Sequence, residues 1–556
     1  MFRTTKAVYL FVLLIFFVPN MAYALEMEAD TGIVPVTREK LQEEVERSEV
    51  QEKLPEKVAE TSKNPERLPK AVETFKESDY LLELPVIQTG DSLDITLKEA
   101  ISEALDKNHD IVIEKITTDI SQTLIQKEEG SFDPTIKVEL TKSRSRAVDA
   151  TNAHTLTAAA KGATEISKKF ITGTTLALNY DTTDNSEGST GGRFTSNLKA
   201  SITQNLLKYF GVDINKAKII IAQKGLDKAK ADYRQKIVET IADVQSAYWD
   251  LYKSRETLVV REETFKQSKA LFTKKKIEAG LGAIASIDLV EIESDVATKI
   301  TEYTEALKEF RDNEIKLRAL LAMPMNFEPG SRLLKPATSP VLRTLKMDYE
   351  QVLNGMLVRH QGYQSILKNK EAKEIEVDYY RNQLLPSLQA KLSYGLQNQN
   401  RTWDHSAGIG GGGGNYEMGL SLSIPIGNNS AKSTLKKNML ELKKLFAQLN
   451  QKKDEIRKEI KSALVEVEQA GILVQSAKID VIIKGKNFAA SEKKLQYGTG
   501  TLRGLLDRQT EKATAQLKLI QSQIDYQKAV VNFYKAQGVI DPDLKIEISA
   551  SQSQKS

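Results

Sequence analysis

The sequence predicts a mixed α and β membrane protein built from two internal repeats, and three observations predict it. The first is one very long helix between Asn429 and Tyr497. Ile456, Ile460, Ala463, Val467, Ala470, Val474, Ala477, Val481, Phe488 and Leu495 follow alternating steps of three and four, broken only by Lys484 and Ser491. A 3.5-residue period imposes left-handed supercoiling against another helix, and at 1.5 Å per residue the rod is roughly 100 Å long. The second observation is duplication: Lys275-Lys276-Ile277-Glu278-Ala279-Gly280-Leu281-Gly282 matches Lys493-Lys494-Leu495-Gln496-Tyr497-Gly498-Thr499-Gly500, and Ile237, Ile241, Val244, Tyr248, Leu251, Leu258, Phe265 and Phe272 repeat the heptad spacing upstream. The third is a set of alternating segments after Pro134 and after Pro386.

In chain order, residues 1–24 read as a secretory signal. Arg3 and Lys6 precede the apolar run Val8 to Val18, and Ala22-Tyr23-Ala24 supplies the small residues of a cleavage site. Residues 25–90 are rich in Glu and Lys, carry Pro35, Pro55, Pro65, Pro69 and Pro85, and lack a continuous apolar face. They read as a disordered extension.

A first repeat is expected over 91–330. It opens on a helix from Thr96 to about Glu129, with Leu97, Ala100, Ile101, Ala104 and Leu105 on one face. Strands follow: Ile136, Val138 and Leu140; then Leu176, Leu178 and Tyr180; then Phe194, Leu198, Ala200 and Ile202. Segments of nine to eleven residues with a two-residue period suit a membrane barrel. The alternative is a soluble antiparallel sheet with one wet face. The signal and the rods favour the barrel.

A linker spans 331–347, and the second repeat covers 348–540. Its opening helix runs from Asp348 to about Gln383, and its strands carry Leu388, Ala390, Leu392, Tyr394 and Leu396, then Tyr416, Met418, Leu420, Leu422 and Ile424. The offset between repeats falls from 252 at the two prolines to about 220 after the strands. The first repeat therefore carries an insertion between Ala147 and Thr183, read as an additional hairpin. Return helices are expected at Ile284–Ala322 and Leu502–Gln537, so that two half-length helices stack end to end beside each rod. Residues 541–556 form a flexible tail.

Composition narrows the function. With no cysteine there is neither a disulfide nor thiol chemistry, and a net charge of +4 gives no sign of a nucleic-acid partner. The four histidines stand apart, which excludes a histidine metal site, and no Ser/His/Asp set or paired carboxylates point to an enzyme. The glycine run Gly410 to Gly414 lacks the Lys-Ser/Thr ending of a phosphate-binding loop. No cofactor is expected.

Over residues 91 to about 540 the chain resembles the TolC-type outer-membrane efflux protein family. The resemblance rests on the duplication and on Leu97, Ala100, Ala104, Leu105 and Asn108 opening the first half. It rests also on Pro134 and Pro386, on Ser421-Leu422-Ser423-Ile424-Pro425-Ile426 before the second rod, and on glycine tips followed by Asp288 and Asp507. It implies a homotrimer whose β-barrel, set in outer-membrane lipid, continues into a periplasmic α-helical coiled-coil tunnel. Such a duct docks on a periplasmic adaptor (membrane fusion) protein and an inner-membrane transporter, in efflux or type I secretion of small molecules or proteins. The chain departs from the family where Asn205 replaces the usual proline before the first rod, and where the insertion adds to the usual four strands. An exported structural coiled coil without channel activity is the competing reading; it leaves the alternating strands unaccounted for.

Two site expectations follow. Gly280, Leu281 and Gly282, with Gly498, Thr499 and Gly500, form the tips: Gly280 and Gly498 let the backbone reverse through a positive φ. The second glycine of each tip and the apolar Leu281 are expected to serve adaptor docking rather than the turn. Arg503 and Asp507, one helical turn apart, are expected to form the entrance gate; as an ordinary surface pair they would be worth a few tenths of a kcal/mol.

Overall fold

The computed structural model describes residues 92–148, 154–185, 194–281, 286–325, 332–343, 349–408 and 413–544. The signal, the extension, the tail beyond 544 and Gly282 lie outside the described residues.

After strand β1 (Ser92–Ile95), Thr96 starts helix α1 (Leu97–Lys107) with a capping box: its hydroxyl accepts from the Glu99 N–H, and the Glu99 carboxylate accepts from the Thr96 N–H. The expected single helix to Glu129 is two helices. At Asn108 the backbone turns extended (φ −61°, ψ 124°), and its side-chain oxygen accepts from Asp110 and Ile111, capping α2 (His109–Glu129). The second repeat breaks at its own cap. Helix α5 (Tyr349–Arg359) ends at His360, whose Nδ1 accepts from the Tyr363 N–H to open α6 (Gln361–Asn382). Apolar spacing continues across both breaks, so the interruption is carried by the capping side chain alone.

The rods form as expected. Helix α3 spans Val212–Gly280 and α8 spans Asn429–Gln496, 69 and 68 residues. Return helices α4 (Ser286–Leu320) and α9 (Leu502–Gln537) climb back beside them. The helices lie side by side in one layer: α2, α3, α6 and α8 across its upper half, α4, α3, α9 and α8 across its lower half. Each neighbouring pair is tied by an ion pair. These are Lys236–Asp110 at 2.7 Å, Arg261–Glu302 at 2.6 Å, Lys224–Glu371 at 2.8 Å, Lys528–Asp250 at 2.6 Å, Lys373–Glu441 at 2.9 Å and Lys484–Glu511 at 2.9 Å. Half-exposed pairs add little stability, but they fix how the rods slide along one another.

Burial along α8 follows the heptad. Ile456, Ile460, Ala463, Val467, Ala470, Val474 and Ala477 are buried, while Val481, Lys484, Phe488, Ser491 and Leu495 continue the seam half-buried. Lys484 interrupts the apolar series because it reaches across to Glu511. By contrast α3 is packed from both sides.

At mid-height the inter-repeat segment supplies β6 (Leu333–Pro336), which pairs parallel with β1. Neither four-residue strand was expected. Tyr248 of α3, fully buried, locks them: its hydroxyl donates to the Ile95 carbonyl at 3.0 Å and accepts from the Thr338 N–H at 2.9 Å.

The remaining strands form one antiparallel sheet in the order β2 (Thr135–Val148), β3 (His154–Lys169), β4 (Thr174–Asn185), β5 (Phe194–Asn205), β7 (Ser387–Asn400) and β8 (Gly413–Ser423). The insertion is therefore a hairpin, β3–β4, within the sheet. Strands run 11 to 16 residues, longer than expected. Short helix α7 (Trp403–Ala407) lies between β7 and β8 in sequence.

Candidate functional site

The sheet sorts its side chains by parity. One face carries, along a single rung, Lys137, Glu165, Asn179 and Lys199, with Glu139 and Asp181 one rung on. The other face carries Ile136, Ile166, Leu178, Ala200, Tyr394 and Tyr416 in register. The sheet curves around its polar face: Lys137, Glu139, Glu165, Asp181, Lys199 and Glu417 line a concavity of about 550 Å³. Within it Glu417 meets Lys199 at 2.8 Å and accepts from Ser393 at 3.1 Å. The apolar face is convex and exposed, Val138, Leu140, Met418, Leu420 and Leu422 included. In water such a surface is a liability; in hydrocarbon it is the required one.

Both sheet edges, β2 and β8, lack a partner strand among the described residues. The helical layer likewise ends in two uncovered margins. On α8, Val465, Ile472 and Ile479, seven residues apart, form a second apolar seam with Leu473, Ile482 and Ile483. At the opposite margin α2 exposes Ile113, Ile116, Ile120 and Leu124, and α4 exposes Ile287 and Val290 below a stripe of small residues at Ser294, Ala297, Thr301 and Thr304.

Sheet and helices meet at a junction that explains Asn205. The inserted hairpin turns at Phe170–Gly173, where Gly173 holds φ +85° and a Cβ would lie 2.5 Å from the Tyr209 carbonyl oxygen. Asn205 binds this turn twice, its backbone N–H and its Nδ2 both donating to the Gly173 carbonyl, at 3.5 and 3.3 Å. Its Oδ1 accepts from Gln389 at 2.9 Å. A proline here could donate nothing. The signal was in the sequence, because the insertion and the lost proline are one change.

At the tips, Gly498 has the expected positive φ, 71°, but Gly280 does not: it is the last helical residue of α3, in open space. The expectation for Gly500 is also corrected. A Cβ there would lie 3.0 Å from the Leu495 nitrogen, and its N–H donates to Lys494 at 3.1 Å, so the turn itself needs this glycine. Thr499 also bonds back to Lys494, through its N–H at 2.9 Å and its hydroxyl at 3.2 Å. Leu281 is 80% exposed and Tyr497 82%, leaving an apolar side chain at each tip.

Arg503 and Asp507 are both exposed on the first turns of α9 and do not pair within the protomer. Beside them Arg508 meets Glu511 at 2.9 Å. The Lys484 ammonium and then the Arg508 guanidinium hold the Glu511 carboxyl below the usual range. Among the described residues no cluster could hold a metal ion, and no helix is long and apolar enough to cross a membrane.

Comparison with known proteins accords with this geometry. The outer membrane efflux protein family matches residues 100–323 and 356–539, one segment in each repeat. Similar solved structures include the Campylobacter jejuni CmeC outer membrane channel, 15% identical over 82% of this chain and 87% of that one, TM-score 0.63. The outer membrane protein VceC of Vibrio cholerae is 13% identical over 80% and 96%, TM-score 0.61. The open-state MtrE outer membrane channel of Neisseria gonorrhoeae is 15% identical over 80% and 89%, TM-score 0.59. Comparison with curated protein sequences gives no match. With both repeats matched in order, the chain belongs to the outer membrane efflux protein family, and its place is the cell's outer membrane.

Proposed function

We propose that this protein is the outer-membrane duct of a tripartite efflux or type I secretion system, a passive channel without catalysis of its own. The observation that carries the reading is the sheet: concave and charged on one face, convex and apolar on the other, with both edges open. Open edges in lipid leave backbone groups unsatisfied, so the sheet must close on further copies. Head-to-tail contact closes a ring, and in the family's arrangement three copies do so, the α8 seam of one packing on the α2 and α4 margin of the next. The helical layer then becomes a periplasmic tunnel.

The exposed Leu281 and Tyr497 suit the tips to docking a periplasmic adaptor, which joins the duct to an inner-membrane transporter. Because Arg503 and Asp507 find no mutual contact within a protomer, their gate acts between copies around the entrance. An exported structural coiled coil would use the rods but has no need of an apolar convex sheet.

The test is reconstitution. Detergent-extracted protein should run as a heat-sensitive trimer and give discrete conductance steps in planar bilayers. Asp507→Ala or Arg503→Ala should raise the conductance. Unchanged conductance in both variants removes the gate, and a stable, soluble, non-conducting monomer refutes the whole reading.

A further inference from the structure

The inserted hairpin bears on what the duct can pass, an inference that rests on the reading above. Its strands carry the same parity as the rest of the sheet: Lys161, Ala163 and Glu165 share the concave face with Asn179 and Asp181, while Ile166, Leu176 and Leu178 share the convex one. It is paired along its length with β2 on one side and β5 on the other. Its turn is fixed to the head of α3 through Asn205, Gly173 and Asn215, whose Nδ2 donates to the Tyr209 carbonyl at 2.9 Å. An appended hairpin would show neither continuous pairing nor an apolar outer face.

We propose that β3–β4 is a full part of the channel wall and widens the barrel to the girth of the helical tunnel, so that the membrane section admits cargo as broad as the tunnel does. Three six-stranded sheets give eighteen strands. With strands ~4.8 Å apart and tilted ~40°, that wall is roughly 110 Å around. Each protomer sets four helices side by side. The twelve in a ring, ~9 Å apart, are roughly 110 Å around as well. Without the insertion, twelve strands would close at roughly 75 Å and pinch the duct at the membrane. Allowing ~5 Å of side chain on each side, the clear bore rises from about 14 Å, enough for one helix, to about 25 Å, enough for a helical hairpin. The cargo class this admits is bulky and hydrophilic, polypeptides included.

The chain has no cysteine, so single cysteines report without background. In lipid-embedded trimers, Ala163→Cys and Ala177→Cys should react with a membrane-impermeant maleimide, and Thr164→Cys and Leu178→Cys only with a lipid-soluble one. Equal reaction of all four with the impermeant reagent overturns the proposal, whether or not any deletion folds. For the bore, Ser201→Cys on the concave face of β5 is probed from outside with polyethylene glycol maleimides of graded mass. The full chain should admit markedly larger reagents than a variant lacking His154–Asn185, and electron microscopy should show eighteen strands against twelve. The same size limit in both, or a twelve-stranded wall in the full chain, overturns the widening while leaving the duct intact. Absence of trimers from the full chain would refute the duct itself.

Discussion

Replacing Asn205 by proline restores the residue usual in the family and should weaken this protein. The change removes the backbone N–H and the Nδ2 that donate to Gly173, at 3.5 and 3.3 Å, and the Oδ1 that accepts from Gln389 at 2.9 Å. A typical hydrogen bond contributes about 0.5–1.5 kcal/mol net, and two of these are long, so the sum is about 2 kcal/mol. Asn205→Ala keeps the N–H and should cost about half of that. Urea titration of lipid-embedded protein, followed by the fluorescence of Trp403 in a Trp249→Phe background, would rank the three. The expected order of stability is parent, alanine, proline. A proline variant as stable as the parent would refute the link between the insertion and the lost proline.

Further outcomes follow from the helical portion. Tyr248→Phe strands the Ile95 carbonyl and the Thr338 N–H in a buried site and should cost about 2–4 kcal/mol; accelerated hydrogen exchange at Thr338 would localise the loss, and unchanged exchange would contradict it. Burial, with Lys452 adding to it, lowers the His360 pKa from 6.5 to about 4, against a small opposing pull from Glu239. Because the unfolded chain takes up that proton first, stability held above pH 6.5 should fall by up to about 3 kcal/mol as pH drops to 4. His360→Asn, copying the Asn108 cap, should lose this slope between pH 6.5 and 4, and an unchanged slope would remove His360 as its source. Leu281→Glu at the exposed tip should leave trimers intact but abolish export in cells carrying the partner transporter; normal export would free the tips of any docking role.

The rods were legible because one physical requirement, a continuous seam against a neighbour, sets every third or fourth residue of α8. Lys484 looked like a fault in that seam until Glu511 appeared opposite it. The sheet was legible through parity, and the hairpin through the change of offset between repeats. The breaks at Asn108 and His360 were hidden because capping is done by single side chains while apolar spacing runs on. Strands β1 and β6 were hidden because four residues carry no periodicity, and their clamp, Tyr248, doubles as an ordinary heptad position. At the tips the repeat identified the turns, but only the backbone path shows that Gly500 is crowded and Gly280 is not. The gate pair, spaced for a contact within one helix, does not make it.

The central claim is that copies of this chain close on one another edge to edge, β8 of one beside β2 of the next. The most direct measurement fixes Val138→Cys on β2, combines it in turn with Tyr416→Cys, Met418→Cys or Leu420→Cys on β8, and oxidises the protein in lipid. Facing residues of neighbouring strands lie within disulfide reach. At least one pair should give a ladder of crosslinked species that stops at three, with a covalently closed trimer at full oxidation. Monomers alone in every pair, or a ladder that continues past three, would contradict the account.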